Sequence, residues 1–334
     1  MTSSSDDAHR ASASRASFPG ITNLPTPARL TVGIVSAGRV GTALGAALER
    51  AGHVVGAVVA RSPQSRRRVG DRLPESAILG LADVVTRSEL LIISVPDAVL
   101  GSVIHDIAVT GAVRPGTLVA HTAGAYGVDI LTPLTELGAT PLAIHPAMTF
   151  VGTADDTVRL SQACFGVTAA DEVGDAIATA LVLEMGGEPV RVAESDRTLY
   201  HAALAHGANH LVALISDSLE ALNQAIAGSG GGGASTATVD GNPVRLAERI
   251  LGPLVTASLQ NALDLGAGAL TGPVARGDAA AVAAHLAALR ALPDAVAAGQ
   301  DDGDSIAGAY RVLSRRAARQ SSAPESVLEV LESP

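Results

Sequence analysis

The stretch Leu30-Thr31-Val32-Gly33-Ile34-Val35-Ser36-Ala37-Gly38-Arg39-Val40-Gly41 decides how this chain is read. Leu30 to Val35 is a short apolar run rich in β-branched residues, the composition of a buried strand. From Arg39 to Ala51, small and apolar residues recur at helical spacing. The turn between them places Gly38 and Gly41 at the second and third positions of the pattern G-x-G-x-x-G, with Ser36 in place of the first glycine. The second glycine of that pattern lets the backbone approach a pyrophosphate, and the third lets helix and strand pack closely. The helix N-terminus then offers free N–H groups and a positive dipole end to phosphates. Ser36, Ala37, Gly38, Arg39, Val40 and Gly41 are therefore a candidate dinucleotide cradle. The plain alternative is an ordinary strand-to-helix turn.

Outward from this motif, Val54 to Ala60 reads as a second strand that runs into Arg61 and Ser62. An NAD site carries an acid about 20 residues past the glycines to hold the ribose hydroxyls. No acid stands at that position. A guanidinium and a hydroxyl suit a 2′-phosphate instead, so the expected cofactor is NADP(H). Arg66, Arg67 and Arg68 follow, either as part of the same basic site or as a solvated helix face. Leu90 to Val95 is a further strand. Val95, Pro96 and Asp97 turn the chain at its carboxyl end, the edge where ligands bind in sheets of this kind.

The alternation continues through Thr117 to His121 and Leu142 to His145. Cys164 to Val167 and Pro189 to Val192 look like edge strands flanking a helix from Asp171 to Met185. Short buried strands separated by helices predict a parallel sheet covered on both faces. No strand signal returns after Glu194. Arg197 to Ala227 is one long helical pattern, and a glycine-rich run from Gly228 to Ala234 opens a flexible loop reaching about Asn242. Helices resume over Pro243 to Gly266, Asp278 to Leu292 and near Ser305 to Arg319. The expected class is α/β: an N-terminal doubly wound Rossmann domain over 29–193, then an all-helical domain over 194–322. Disordered residues 1–28 and a short tail over 323–334 flank the two.

Composition narrows the function. A chain of 334 residues with 47% hydrophobic and 17% charged residues suits two well-buried domains. Lys plus Arg number 23, and every one is arginine. The lack of lysine excludes a Schiff base, a phosphate-loop lysine and a lysine general acid. Net charge is −10 and aromatics are 2%, so neither the basic face nor the stacking rings of a nucleic-acid binder are present. The single cysteine, Cys164, cannot form an internal disulfide, and a reducing cytoplasm is expected. The N-terminus has acids where a secretory signal needs positive charge. No stretch provides the roughly 20 apolar residues of a membrane span.

Several polar residues are candidates for chemistry. His121, followed by Thr122, and His145 end two strands at carboxyl edges and converge on one crevice, as ligands of a substrate or as satisfied core histidines. Asn209 shares a helix face with Thr198, Ala202 and Ala205, which leaves room for a ligand beside its amide, or for a packing hydrogen bond. His206 and His210 are four apart, but no third ligand follows at useful spacing, and no metal is expected. Thr271 and Arg276 lie in a loop that restarts a helix at Asp278, its N-cap. They are placed to meet an acidic substrate, or they form a capped turn.

Together these residues resemble a bacterial family described as a Rossmann-like domain joined to a domain of unknown function. The resemblance is carried by Gly38-Arg39-Val40-Gly41, Ser94-Val95-Pro96-Asp97, His121-Thr122-Ala123-Gly124, His145-Pro146, Tyr200-His201 through Asn209, and the Leu270 to Asp278 loop. It covers about residues 30 to 320. It implies an NADP-dependent oxidoreductase of the 6-phosphogluconate-dehydrogenase type acting on a small molecule. Some relatives are regarded as alternative ketopantoate reductases, so reduction of a small carbonyl acid, with ketopantoate leading, is the expectation. Helical second domains of this group commonly pair with a twin subunit, which implies a homodimer. Related dehydrogenases place a catalytic lysine four residues before an asparagine. Asn209 matches the asparagine, but Ala205 holds the lysine position. The proton donor is then His201, His145 or water. On an ideal helix His201 lies about 12 Å along the axis from Asn209 and roughly 80° around it, so it is no simple substitute. Two alternatives follow from the missing lysine. An imine reductase of the pyrroline-5-carboxylate type receives a substrate already protonated, and a non-catalytic NADPH-binding regulator needs no donor.

Overall fold

The computed structural model describes residues 29–227, 237–239, 242–244, 246–292 and 305–333. The expected tail 1–28 and the glycine run from Gly228 lie outside them. The chain divides into two compact units, residues 1–204 and 205–334. The division falls inside a helix, eleven residues beyond the boundary expected at 193, because the first helical turns after residue 196 pack on the sheet.

The first unit is built on an eight-stranded sheet. Its strands are β1 (Thr31–Val35), β2 (Val54–Val59), β3 (Ala77–Ile78), β4 (Leu90–Ile93), β5 (Leu118–His121), β6 (Thr140–Pro146), β7 (Cys164–Ala169) and β8 (Glu188–Arg191). They lie in the order β3-β2-β1-β4-β5-β6-β7-β8. The strand order reverses at β1, where β2 pairs on one side and β4 on the other, both parallel. That reversal opens a crevice at the carboxyl ends of β1 and β4. The helices of this unit are α1 (Arg39–Arg50), α2 (Pro63–Arg72), α3 (Leu81–Arg87), α4 (Asp97–Val109), α5 (Thr132–Thr135), α6 (Asp155–Leu160) and α7 (Glu172–Glu184). They cover both faces of the sheet with two separate apolar cores. One holds Ile34, Leu44, Leu48 and Phe165, and the other Val35, Leu91, Ile93 and Ile104.

Two sheet expectations need correction. β7 is not an edge strand, and it runs antiparallel to β6, with His145 opposite Gly166 and Pro146 opposite Phe165. Only β8, parallel to β7, is at that edge. The reversed direction brings the first residues of β7 to the same sheet edge as His145. The two-residue β3 was too short to leave a periodic signal.

The remaining elements are α8 (Arg197–Ala227), β9 (Ala237–Val239), β10 (Asn242–Val244), α9 (Leu246–Leu265), α10 (Pro273–Arg276), α11 (Ala279–Arg290), α12 (Ile306–Ser321) and α13 (Glu325–Glu332). The second part is thus not purely helical. β9 and β10 pair antiparallel where a loop and the start of a helix were expected. The missed signal is Asp240-Gly241 between them, a dipeptide favoured in two-residue hairpins. Residues 325–332, expected as tail, form α13. Its Val327 and Leu331 are fully buried against Val282 and Leu286 of α11. The Val-Leu spacing is helical, but the segment is only two turns long and its pattern is set by packing rather than propensity. Asp278 caps α11 as expected, accepting from the Ala281 amide at 3.0 Å.

Candidate functional site

The β1–α1 turn shows why three positions of the glycine pattern differ. Ser36 has φ 78°, the left-handed conformation that the first glycine normally supplies. The serine keeps the turn at a backbone cost of about 1–2 kcal/mol. Gly41 is tied down by packing: a Cβ there would lie 2.5 Å from the Ser36 carbonyl oxygen and 3.0 Å from both Ile34 Cγ2 and Ser94 Oγ. Gly38 is the opposite case, since a Cβ would meet only Ser36 Oγ, at 3.8 Å. It caps α1 with no side chain in the way, and the first turn of α1 contains no acid to repel an anion.

Gly38 opens onto a cavity of about 470 Å³. Ser36, Ala37, Gly38, Arg61, Ser62 and Val95, all expected as cofactor ligands, line it together. Arg39, Val40, Gly41, Pro96 and Asp97 do not. The Arg39 guanidinium instead donates to the Phe150 carbonyl at 3.3 Å, and Val40 packs on the core. Arg68 lines the cavity, whereas Arg66 and Arg67 do not, which resolves the arginine cluster. Ser65 and Arg68 are three apart on α2, and Val99, Ser102, Val103 and Asp106 form one face of α4. Helical spacing counted from Ser62 would have found the α2 face, whereas the α4 face lies on the side of the helix opposite Asp97 and could not be counted from it.

Ser62 is the N-cap of α2 and forms a reciprocal capping box with Ser65, whose amide donates to Ser62 Oγ at 3.0 Å. Pro63 follows at the first helical position. The N-terminus of a ten-residue helix and the Arg61 and Arg68 guanidinia therefore converge on one wall. No carboxylate pairs with either arginine among the described residues. The cavity fits a dinucleotide with an extra phosphate: a glycine cradle, two helix N-termini, unpaired guanidinia and apolar walls for a base.

A second cluster sits at the carboxyl ends of β5 and β6. His121 is fully buried, and both ring nitrogens serve its own loop. Nε2–H donates to the Gly127 carbonyl at 2.7 Å, and Nδ1 accepts from the Ala123 amide at 3.2 Å. Burial holds its pKa down at about 4, with the Gly127 contact opposing and Arg197 adding repulsion. His121 thus shapes the loop and has no nitrogen left for a substrate. Glu194 braces the same loop, accepting from the Val128 amide at 2.7 Å. Thr122 donates its amide to the Ile93 carbonyl, and its side chain faces the core.

His145 is half-buried. Its Nδ1 lies 3.0 Å from the Tyr200 hydroxyl. Its ring packs edge to face with Tyr200, 5.6 Å between centroids, and with His201 at 5.9 Å. Burial holds His145 at a pKa of about 4, reinforced by His201, Arg197 and His121. His145 and His201, two of the alternative donors, therefore lie side by side, and Tyr200 and Arg197 complete the group. Asn209 is exposed on α8 and belongs to the second unit. In that unit Arg276 donates to the carbonyl of Thr271 at 2.6 Å, so the pair closes its own turn. Among the described residues no cluster of three His, Cys, Asp or Glu could hold a metal, and no helix is long and apolar enough to cross a membrane.

Order of strands, crevice and glycine turn define a Rossmann-like fold. Residues 18–146 match the Rossmann-like domain, and residues 163–317 match a domain of unknown function (DUF2520). The chain thus carries a Rossmann-like domain followed by a domain of the DUF2520 type. No curated protein matches it in sequence. Among solved structures it is similar to the "putative NADP oxidoreductase" of Bacteroides fragilis, with 20% identity, TM-score 0.66, and 87% of this chain and 98% of that one covered. A Thermotoga maritima protein is similar at 18% identity and TM-score 0.59, with 87% and 98% covered. An imine reductase variant from Myxococcus stipitatus, in complex with NAD+, is similar at 14% identity and TM-score 0.54, with 92% and 100% covered.

Proposed function

We propose that this protein is an NADPH-dependent reductase of a small carbonyl acid, with ketopantoate the first substrate to try. The observation that carries the cofactor is the cavity at the β1–β4 crevice, where Gly38 leaves space for a pyrophosphate and Arg61 and Arg68 face it unpaired. When bound, the cofactor supplies a hydride. Ser36 to Gly38 and the N-terminus of α1 hold its phosphates, and Arg61, Arg68 and Ser62 hold the 2′-phosphate. Asn209 hydrogen-bonds the substrate carbonyl, a role that rests on the family resemblance, as do substrate contacts for Thr271 and Arg276. The lysine-free chain gives the imine reading its support, since a protonated imine needs no acid from the protein.

The unit that works is a homodimer in the cytoplasm. Of the 31 residues of α8 only Arg197 is buried, and of the 20 of α9 only Ala247. Val212, Leu254, Leu263 and Leu265 are each more than 60% exposed. Exposed apolar side chains on two long helices that follow one another in the chain support burial against a second copy. A monomer mass in light scattering at micromolar concentration would overturn it.

The test of function is calorimetric titration with NADPH and NADH, followed by NADPH consumption with a panel of α-keto acids, ketopantoate included, and cyclic imines. Tight NADPH binding with turnover of a keto acid is the expected result. Turnover of imines alone moves the imine reading into first place. Binding with no turnover makes the protein an NADPH-binding regulator, and no binding rejects all three.

A further inference from the structure

The proposed reductase must protonate the oxygen that its hydride leaves negative, and the chain has no lysine to do so. Three residues of the first unit supply a route. His145 Nδ1 and the Tyr200 hydroxyl are 3.0 Å apart. The Tyr200 ring lies on bare backbone, because a Cβ on Gly166 would come within 2.7 Å of its Cζ and oxygen. On the other side of the imidazole, a Cβ on Gly124 would be 3.0 Å from Nε2 and 2.6 Å from the His201 ring. The imidazole and phenol rings are thus held in one geometry by a glycine on β7 and another in the loop after β5. Nε2 has no partner among the described residues, and it is not one of the buried side-chain nitrogens sealed without one. It is the atom of the couple open to a ligand.

Arg197 is the third member. It is 1% exposed and is the largest fully buried side chain among the described residues. Nε donates to Thr168 Oγ1 at 2.7 Å, and Nη2 to the carbonyls of Ala143 and Gly166 at 3.1 Å each. Nη1 is buried with no partner, and no carboxylate is in ion-pair range among the described residues. A buried cation without a counter-ion is costly, so its position calls for a reason. The guanidinium carbon sits 5.9 Å from the centre of the Tyr200 ring.

We infer that Tyr200, His145 and Arg197 form a proton relay for the reductase proposed above. Tyr200 O–H donates to Nδ1, so the resting imidazole carries its proton on Nε2. As a hydride from the reduced nicotinamide forms the new C–H bond and the carbonyl π bond breaks, Nε2–H passes its proton to the oxygen. The phenol proton moves to Nδ1, and the imidazole stays neutral throughout with its tautomer exchanged. The phenolate left on Tyr200 is balanced by Arg197. After product leaves, Nδ1–H returns its proton to the Tyr200 phenolate and a proton from solvent restores Nε2–H.

The electrostatics agree. Burial, His201, Arg197 and His121 keep His145 neutral, with a pKa of about 4, so it cannot store the proton as imidazolium. Burial raises Tyr200, while Arg197 and the Gly166 amide favour its phenolate and Cys164 opposes it. Glu194 is the acid that acts on Arg197, together with Tyr200 itself. The stored proton therefore belongs to the phenol.

Nitrogen NMR of the NADPH complex reads the tautomer directly. Nε2–H on His145 with Nδ1 as acceptor is expected, and a proton on Nδ1 overturns the relay. Tyr200→Phe should lower the turnover rate by about 10²–10³, the scale of general acid catalysis, with NADPH affinity unchanged. Full turnover in that variant overturns the relay and leaves the reductase reading standing. No turnover of any acceptor by the unaltered protein overturns both. Arg197→Lys keeps the charge where Arg197→Gln threatens folding. The lysine variant should retain most of the rate and keep the Tyr200 ultraviolet titration near its original position. A lysine variant as slow as Tyr200→Phe, with that titration unmoved, overturns the role of Arg197 as charge partner.

Discussion

Gly38 and Gly41 stand three residues apart in one motif, yet their substitution should separate stability from binding. At Gly41 an added Cβ meets backbone, the Ser36 carbonyl oxygen at 2.5 Å, so relief requires moving the turn or the helix. Overpacking of this kind costs about 1–3 kcal/mol, and the better helix propensity of alanine returns about 1. Contact with a carbonyl oxygen places Gly41→Ala at the upper end, for a net loss of about 1–2 kcal/mol. In a unit of this size that lowers Tm by roughly 2–8 °C. At Gly38 the same atom meets only Ser36 Oγ at 3.8 Å. Gly38→Ala should cost no more than about 0.5 kcal/mol, the loss of a tolerated N-cap. Its methyl group projects into the space proposed for the pyrophosphate. The expected result is near-normal melting with NADPH affinity reduced about tenfold or more, about 1.4 kcal/mol. Gly38→Val should abolish binding without unfolding the protein. Scanning calorimetry and titration calorimetry on the variants decide it. Normal NADPH affinity in Gly38→Ala and Gly38→Val would refute the reasoning, because the loop would then be a plain turn.

Ser36→Gly should leave stability unchanged or raise it by up to about 1 kcal/mol, since relief of the left-handed backbone at φ 78° is partly offset by glycine's greater unfolded entropy; a measurable loss in urea melts would show that the serine side chain holds the turn. Arg61→Glu should cost about 1–3 kcal/mol of NADPH affinity and leave NADH affinity nearly unchanged, and equal dissociation constants for both cofactors in the unaltered protein would rule out a 2′-phosphate site there. Asn209→Ala should lower kcat by about 10²–10³, the loss of one oxyanion donor, and an unchanged kcat would remove Asn209 from the chemistry. Stability should also depend on pH through His121. Its folded pKa, about 4, lies below the unfolded value, so the unfolded chain binds the proton first as pH falls. Stability from this group is then present above pH about 6.5 and lost between there and about 4, a loss of about 3 kcal/mol; His121→Gln should flatten that part of a urea-melt pH series, and an unaltered slope would mean that another group is responsible.

The alternation of buried strands and helices was legible because hydrophobic periodicity is local. Leu90 to Ile93 and Val54 to Val59 need no knowledge of the rest of the chain to be read as strands. Strand direction was not legible. Cys164 to Ala169 has the same composition whether it runs with β6 or against it, and the direction is set by where the connection through α6 emerges. The hairpin over 237–244 was missed because its strands are three residues each, below the length at which alternation can be counted. The cavity at the β1–β4 crevice is lined by Ser36, Ala37, Gly38, Arg61, Ser62 and Val95 of the expected residues, and not by Arg39, Val40, Gly41, Pro96 or Asp97. Sequence spacing fixes which residues lie near the turn, but side-chain direction decides which reach the cavity.

The polar cluster shows the harder limit. Histidines at 121 and 145 looked equivalent in sequence, each at a strand's carboxyl end. The fold makes them different. His121 spends both nitrogens on a loop that Glu194 and Gly127 draw tight, and His145 keeps one nitrogen free because Gly124 leaves room beside it. A histidine acid read from sequence carries its solution pKa, and predicts a rate that falls above pH of about 6.5. Burial beside Arg197 removes that proton long before neutrality, so the free nitrogen can only lend a proton that it takes from elsewhere. Tyr200 is three residues from Arg197 in the chain, but nothing in the sequence says that both meet His145, which is 55 residues from the tyrosine. That meeting depends on the antiparallel β7, whose Gly166 lies opposite His145 and leaves the space for the phenol ring. A side chain at Gly166 would displace the ring and break the hydrogen bond. Gly166→Ala should therefore slow turnover to the level of Tyr200→Phe while NADPH binding, proposed above for the cavity at β1 and β2, stays intact. An unimpaired rate in Gly166→Ala would mean that the ring can move and the couple is not built for catalysis.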